Sequence, residues 1–209
     1  MQEKYISADT EQRKAIFSSN RDLFNLLKKE DNKSNALDIA ALFIFLNKTC
    51  FNGLYRVNRN GDFNVPVGAY KNPLICDELN LKNNSELLQN VKIICGDYRK
   101  CKNFIDNETF VYIDPPYRPL TQTSSFTSYS SKVFDDKEQI RLAKFINVIS
   151  EKGAIVVASN SDPQNTDEND MFFDDLYKNY SIKRIQAKRM INSKGNGRGN
   201  INELLISNF

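Results

Sequence analysis

A chain of 209 residues that is 40% hydrophobic, with 14 Phe and 9 Tyr, can bury a sizeable core as one domain, or as a domain carrying a small insert. Its 29 Lys+Arg against 26 Asp+Glu leave a net charge of +3, so the mean charge singles out no partner. With 0 His and 4 Cys that include no C-x-x-C pair, the sequence excludes Ser-His and Cys-His nucleophilic chemistry and argues against a bound metal or a disulfide framework. Any catalysis must run on carboxylates, tyrosines, lysines or positioning. The polar start MQEKYISADTEQRK is no secretory signal, and no apolar run reaches about eighteen residues, so a cytoplasmic protein without a membrane partner is expected.

Thr10–Lys29 reads as a helix whose apolar stripe is Ile16, Phe17, Leu23, Phe24, Leu26 and Leu27, closed by lysines where the helix dipole favours cations. Ser34 can cap a second helix running to about residue 48. Its segment ALDIAALFIFLN is apolar nearly all round, which predicts burial on several sides. The texture then changes. GLYRVNRNGDFNVPVG places alternating strands on either side of Asn60-Gly61, a pair that accepts the positive φ values of a type I′ turn. A βαβ domain does not proceed this way, so residues 51 to about 73 read as an inserted hairpin. The α/β rhythm follows, with strands predicted at residues 91–95, 110–113, 154–158, 182–187 and 204–208 and helices near 135–150 and 170–178. The organisation expected is a helical and β-hairpin region over residues 1–90 and an α/β region over 91–209. Two long polar loops, RPLTQTSSFTSYSSK and RMINSKGNGRGN, follow the second and fourth strands, and loops of that length are functional or disordered.

Charge is uneven along the chain. Between Ser181 and Ile201 stand Lys183, Arg184, Lys188, Arg189, Lys194 and Arg198 with no acid, and Lys48, Arg56, Arg59 and Lys71 face Asp62 alone between Asn47 and Lys71. Basic stretches with aromatic neighbours suit a polyanion, although solvated faces carry the same composition.

The most informative stretch is FVYIDPPY, residues 110–117. Its apolar run fits a strand covered on both faces, as in a parallel sheet. Pro115 and Pro116 have no N–H to donate and fix φ, so the ladder must end at Asp114. Ligands of open α/β sheets bind beyond the carboxyl ends of strands, where this run delivers Asp114 and Tyr117. The bland alternative is a stop signal. At ordinary residue frequencies, however, Asp-Pro-Pro-Tyr arises by chance in on the order of one chain in a thousand of this size, which makes the tetrapeptide specific.

An exocyclic amine of a nucleobase is a poor nucleophile because its lone pair is delocalised into the ring. The Asp114 carboxylate and the Pro115 carbonyl can accept its two N–H bonds, aiming the lone pair at an electrophile, while Tyr117 offers a flat face for the base. A base modified within a duplex must first be extruded, and such a platform is what it then meets.

On these residues the sequence resembles the D12-class (Dam/DpnM-like) DNA adenine N6-methyltransferases. FLNKTCFNGLYRVNRNGDFNVPVGAYKNP is similar to that family's DNA-recognition segment, YIDPPYRPLTQTSSFTSY to its catalytic segment and RGNINELLISNF to its closing strand. The resemblance covers most of the chain from about Ile39 to Phe209. It implies an S-adenosylmethionine-dependent methyltransferase (Rossmann-like) fold that methylates N6 of adenine in double-stranded DNA, commonly in GATC and in a restriction-modification setting. It places Asp114, Pro115, Pro116 and Tyr117 at the target adenine, and Asp97, Tyr98 and Asp114 at the cofactor. It places Lys48, Phe51, Asn52, Leu54, Arg56, Pro66, Tyr70, Lys71 and Arg198 on DNA. The residue types agree: arginine reads guanine bidentately, Asn52 suits adenine or a phosphate, and Phe51 and Leu54 can wedge between base steps or simply pack under the hairpin.

One departure stands out. The family's cofactor site begins with a glycine-rich turn after the first strand and an acidic residue after the second, and this chain has neither; its first glycine is Gly53. The fold expected therefore lacks its first two strands, which in the family lie between the strand ending at Cys95 and the one ending at Ile113. A complementing N-terminal fragment is the partner this implies. The alternatives left open are a truncated, non-catalytic DNA-binding remnant, one half of a split methyltransferase, and an RNA or protein N-methyltransferase.

Overall fold

The computed structural model describes residues 1–30, 32–120, 134–188 and 200–209. They form two compact units that divide after Ile94.

In the first unit, α1 (Gln2–Ile6) precedes α2 (Thr10–Lys29), the second helix having the bounds its sequence predicts. Asp9 caps α2 by accepting from the Gln12 N–H while Gln12 returns a bond to the Asp9 N–H, a reciprocal arrangement whose cap is worth about 1 kcal/mol. Helix α3 spans Ala36–Thr49. Ser34 does not cap it; the Asn32 side chain instead accepts from the Ser34 N–H and opens a short 3-10 turn ahead of the helix. Only one face of α3 is buried. Leu42, Phe45 and Leu46 join Tyr5, Phe17, Phe24, Phe63 and Val65 in a core, whereas Leu37 is 81% exposed, because none of the described residues covers it.

The hairpin exists as a loop pinned by two isolated bridges, Val57↔Phe63 and Cys50↔Val67, rather than as a continuous ladder. Its turn differs from the one expected. The Gly61 N–H bonds to the Asn58 carbonyl, and the Asn58 side chain accepts from the N–H groups of Asn60 and Asp62. That side chain nucleates the turn one residue early, so Gly61 alone, at φ 80°, takes the left-handed conformation and Asn60 is spared it. Helix α4 (Glu78–Leu88) was not foreseen, since its leucines show little periodicity among polar neighbours; it buries none of its residues. Residues 91–95, predicted as a strand, enter no ladder. Apolar sequence favours a strand only where a neighbouring strand can take its backbone hydrogen bonds.

The second unit is mixed α/β, the class expected. Its elements are β1 (Phe110–Ile113), α5 (Asp136–Glu151), β2 (Ile155–Ser161), α6 (Phe172–Leu176), β3 (Ser181–Lys188) and β4 (Asn200–Ser207). The sheet has four strands in the order β1-β2-β4-β3, with β1 and β2 parallel and the other pairs antiparallel. Asp135 caps α5 through the Glu138 N–H, and Leu142, Phe145, Ile146 and Ile149 pack on Val156, Ala158, Leu204 and Ile206. Strand β2 runs three residues past its expected end because Ser159, Asn160 and Ser161, polar yet buried, continue its pairing with β4. Among the described residues no helix is long and apolar enough to cross a membrane.

Candidate active site

Asp114 follows the last residue of β1 and stands on the surface, at the carboxyl end of the only parallel pair in the described sheet. Its Oδ1 accepts from the Ser159 hydroxyl at 3.0 Å. Among the described residues nothing donates to Asp114 Oδ2 or to the Pro115 carbonyl, two adjacent acceptors. Tyr117 is half-buried beside them. Burial pushes its phenol above the usual tyrosine range, with a bond to Ser159 opposing and the charges of Glu203 and Asp114 reinforcing the rise, so the ring meets a ligand as a neutral phenol.

The segment from Asp114 to Arg118 is fixed from both sides of its backbone. The Gln139 side-chain amide of α5 donates to the Pro116 carbonyl at 3.0 Å. Asn160 accepts from the Arg118 N–H at 3.0 Å, and Ser161 donates to the Arg118 carbonyl at 2.6 Å. The Arg118 guanidinium lies over the Phe172 ring at 4.4 Å and pairs with Asp136 and Asp170. Sequence reasoning missed Arg118, Gln139, Ser159, Asn160 and Ser161. The available signal was SNSD, a polar run continuing directly from the apolar AIVVA where a buried strand was expected.

Asp97 caps the 3-10 turn Tyr98–Phe104. Its carboxylate is taken up by neighbours, bonded to the Arg99 N–H and guanidinium and to Arg141 at 2.7 Å. The Arg99 guanidinium first, with Arg141 beside it, holds that carboxyl far below the usual range. Tyr98 meets the Phe145 ring edge-on at 5.2 Å, and its hydroxyl accepts from Arg141. A cleft of about 340 Å³ brings Tyr98 together with Asp114, Pro115 and Pro116, over a floor that includes Val111, Ile113 and Phe145.

The residues expected on DNA, apart from Arg198, fall in the first unit. Lys48 lies exposed in the last turn of α3, and Phe51, 53% exposed, and Leu54, 36% exposed, stand on the surface rather than under the loop. Asn52 has φ 55°, and Asn47 ties this corner by donating to the Gly53 carbonyl at 2.6 Å. Arg56 is exposed but bonded within the hairpin, to the side chain and carbonyl of Asn64. The exposed Pro66 accepts from the Phe51 N–H, and Arg13 grips the Tyr70 and Lys71 carbonyls while leaving both side chains outside. Arg198, and most of the two long loops, lie outside the described residues.

A mixed sheet with a strand that ends on Asp-Pro-Pro-Tyr is consistent with an α/β fold of the methyltransferase class. The sequence model of the D12 class N6 adenine-specific DNA methyltransferases matches residues 2–191, and the chain belongs to that family. It is 52% identical to Type II methyltransferase M.MjaIII of Methanocaldococcus jannaschii over 100% of this chain and 70% of that protein. It is 39% identical to Type II methyltransferase M1.LlaDCHI of Lactococcus lactis subsp. cremoris, over 85% of this chain and 61% of that protein. Against the DNA adenine methylase of Escherichia coli K12 the identity is 34%, over 88% and 64%. The chain thus spans about two thirds of the length of these curated relatives.

Proposed function

We propose that this chain carries the target-adenine site and the DNA-recognition region of an enzyme that transfers a methyl group from S-adenosylmethionine to N6 of adenine in duplex DNA, at GATC, in a restriction-modification setting. The observation that carries the reading is the open acceptor pair, Asp114 Oδ2 and the Pro115 carbonyl, on a segment held by Gln139, Asn160 and Ser161. The adenine amino group gives one N–H to each acceptor, and its lone pair turns out of the ring plane. Tyr117 carries the base on its ring. The proton that N6 must lose once methylated, the methyl group having left a sulfonium sulfur, would pass toward the Asp114 carboxylate and solvent.

In the first unit, the exposed Phe51 and Leu54 fill the gap left by the extruded base and Arg56 reads a guanine, its partly engaged guanidinium stiffened by Asn64. Lys48, Asn52, Pro66, Tyr70, Lys71 and Arg198 follow the backbone.

S-adenosylmethionine supplies an electrophilic methyl group when bound. The residues present fit only part of it. Tyr98 lines the cleft next to Asp114, but the Asp97 carboxylate is already held by Arg99 and Arg141, and the sequence shows no strand-Gly-x-Gly-helix segment, its one Gly-x-Gly run, GNGRG, standing between two strands. We therefore propose that a segment outside these residues completes the cofactor site, pairing with the open side of β1 and carrying the glycine turn. The same observations favour a second reading, a DNA-binding remnant that binds no cofactor.

One experiment separates them. The chain, alone and with the part of the M. jannaschii relative outside the match, is given S-adenosylmethionine and unmethylated duplex DNA with and without GATC, and the products are read by mass spectrometry. N6-methyladenine in GATC only when the segment is present supports the proposal. DNA binding without transfer under either condition establishes the remnant, and methyl on cytosine overturns both.

A further inference from the structure

Strand β2 presents three polar residues in succession to the interior: Ser159, Asn160 and Ser161 are 5%, 3% and 5% exposed. Buried hydroxyls and amides without partners are destabilising, so an interior strand carries such a run only where the groups are matched. The partners here are all in or next to one segment. Ser161 donates to the Arg118 carbonyl, and Asn160 accepts from the Arg118 N–H while its amide donates to Gln139 Oε1 at 3.1 Å. Gln139, 0% exposed, passes the link on to the Pro116 carbonyl. These bonds fix backbone. Ser159 differs, because the register pairing Ile113 with Ala158 sets it opposite Asp114, where its hydroxyl, 3.5 Å from the Ile113 carbonyl, lies closer to the carboxylate itself, at 3.0 Å.

We infer that Ser159 is a positioning residue for the reaction proposed above: by donating to Asp114 Oδ1 it fixes the carboxylate plane and assigns Oδ2 to the amine of the target base. The inference rests on that reading for its chemistry and on geometry alone for the orientation. A carboxylate at the surface rotates about χ1 and χ2, and an acceptor that samples several directions meets the amine in the right one only part of the time. Asn160, Ser161 and Gln139 hold the loop, but none touches the Asp114 side chain. Ser159 is the described residue that does.

The test compares Ser159→Ala and Ser159→Thr with the natural chain. In the full chain, three-bond NMR couplings report the Asp114 χ1 distribution without any need for turnover. The couplings should show one rotamer in the natural chain, averaging in Ser159→Ala and a single rotamer again in Ser159→Thr, with all three chains keeping a cooperative melt. In the methyl-transfer assay with the complementing segment, Ser159→Ala should lower kcat by about tenfold with KM for DNA unchanged, and threonine should restore it. A purely structural serine would shift the melt and leave the couplings alone. Unaltered couplings in Ser159→Ala, or averaged couplings with unaltered kcat, overturn the inference. Should the natural chain transfer no methyl under any condition, the proposed function falls, while the couplings still decide whether Ser159 orients Asp114.

Discussion

Strands β1 and β2 lie side by side in parallel register and differ in almost everything else. β2 pairs on both edges and, past Ile155, is buried throughout, with Val156 at 1% and Ala158 at 3% exposed. β1 pairs with β2 alone among the described strands, and it leaves Phe110 62% and Tyr112 57% exposed although its sequence, FVYI, is the more apolar. Burial follows from neighbours, not from composition. The contrast also divides the site: the bond to the Asp114 carboxylate comes from β2, through Ser159, and Asn160 and Gln139 hold the backbone that follows it, while Tyr98 lines the cleft beside β1.

If the two sides differ in this way, truncations should cost very different amounts. Phe173, 0% exposed in the core beneath the sheet, should lose about 3–5 kcal/mol on Phe173→Ala. Tyr112→Ala should fall within about 0.5 kcal/mol in the chain alone and become clearly destabilising once a complementing segment is bound. Urea titrations with and without the segment check both. A large cost for Tyr112→Ala in the isolated chain would show that its ring is already covered.

The next effect is catalytic. Asp114→Ala removes one of the two open acceptors and should lower methyl transfer in the complemented protein about a hundredfold or more, with DNA affinity nearly intact. Gel-shift affinity measured beside turnover checks the split. Near-normal turnover would remove Asp114 from the proposed mechanism.

Much of this was legible in the residues. A strand that ends on a carboxylate before two prolines is a local fact, because proline cannot continue a ladder, and helix α2 was announced by the spacing of its apolar residues. Non-local bonds were harder to read. No local rule predicts that Gln139 of α5 reaches Pro116, or that Asp97 is neutralised by Arg141 from a helix some forty residues on, since both depend on how helix and sheet pack. The hairpin turn failed for a related reason: the Asn58 side chain competed with the backbone and won the turn.

A smaller effect separates reading from holding in the first unit. Arg56→Ala should weaken binding to the preferred sequence by about 1–3 kcal/mol and relax preference at one base pair, whereas Lys71→Ala should weaken all sequences alike and lower the salt slope by about one. Competition binding at several salt concentrations distinguishes the two. Equal losses on specific and nonspecific DNA for both variants would leave Arg56 as one more phosphate contact.

The smallest expected effect concerns acid, and it contrasts two carboxyls. Burial pushes the Asp170 carboxyl up, but the Arg118 bond outweighs it and leaves the group below its ordinary value. The Arg99 bond, aided by Arg141, holds Asp97 down. A carboxyl depressed by folding contributes stability that is present above its unfolded value, about 3.9, and is lost as pH falls through its folded value. Tm should therefore decline below about pH 4, and Asp170→Asn and Asp97→Asn should each be less stable than the natural chain at pH 6, with the deficit shrinking as pH drops. Asp170, with 27% of its side chain exposed against 33% for Asp97, is somewhat less screened by solvent and pairs with Arg118 next to Tyr117, so its deficit at pH 6 should be the larger. Melting curves at pH 6 and pH 3 for the three chains decide it, and a deficit that stays constant with pH would mean that the asparagines act through packing and not through charge.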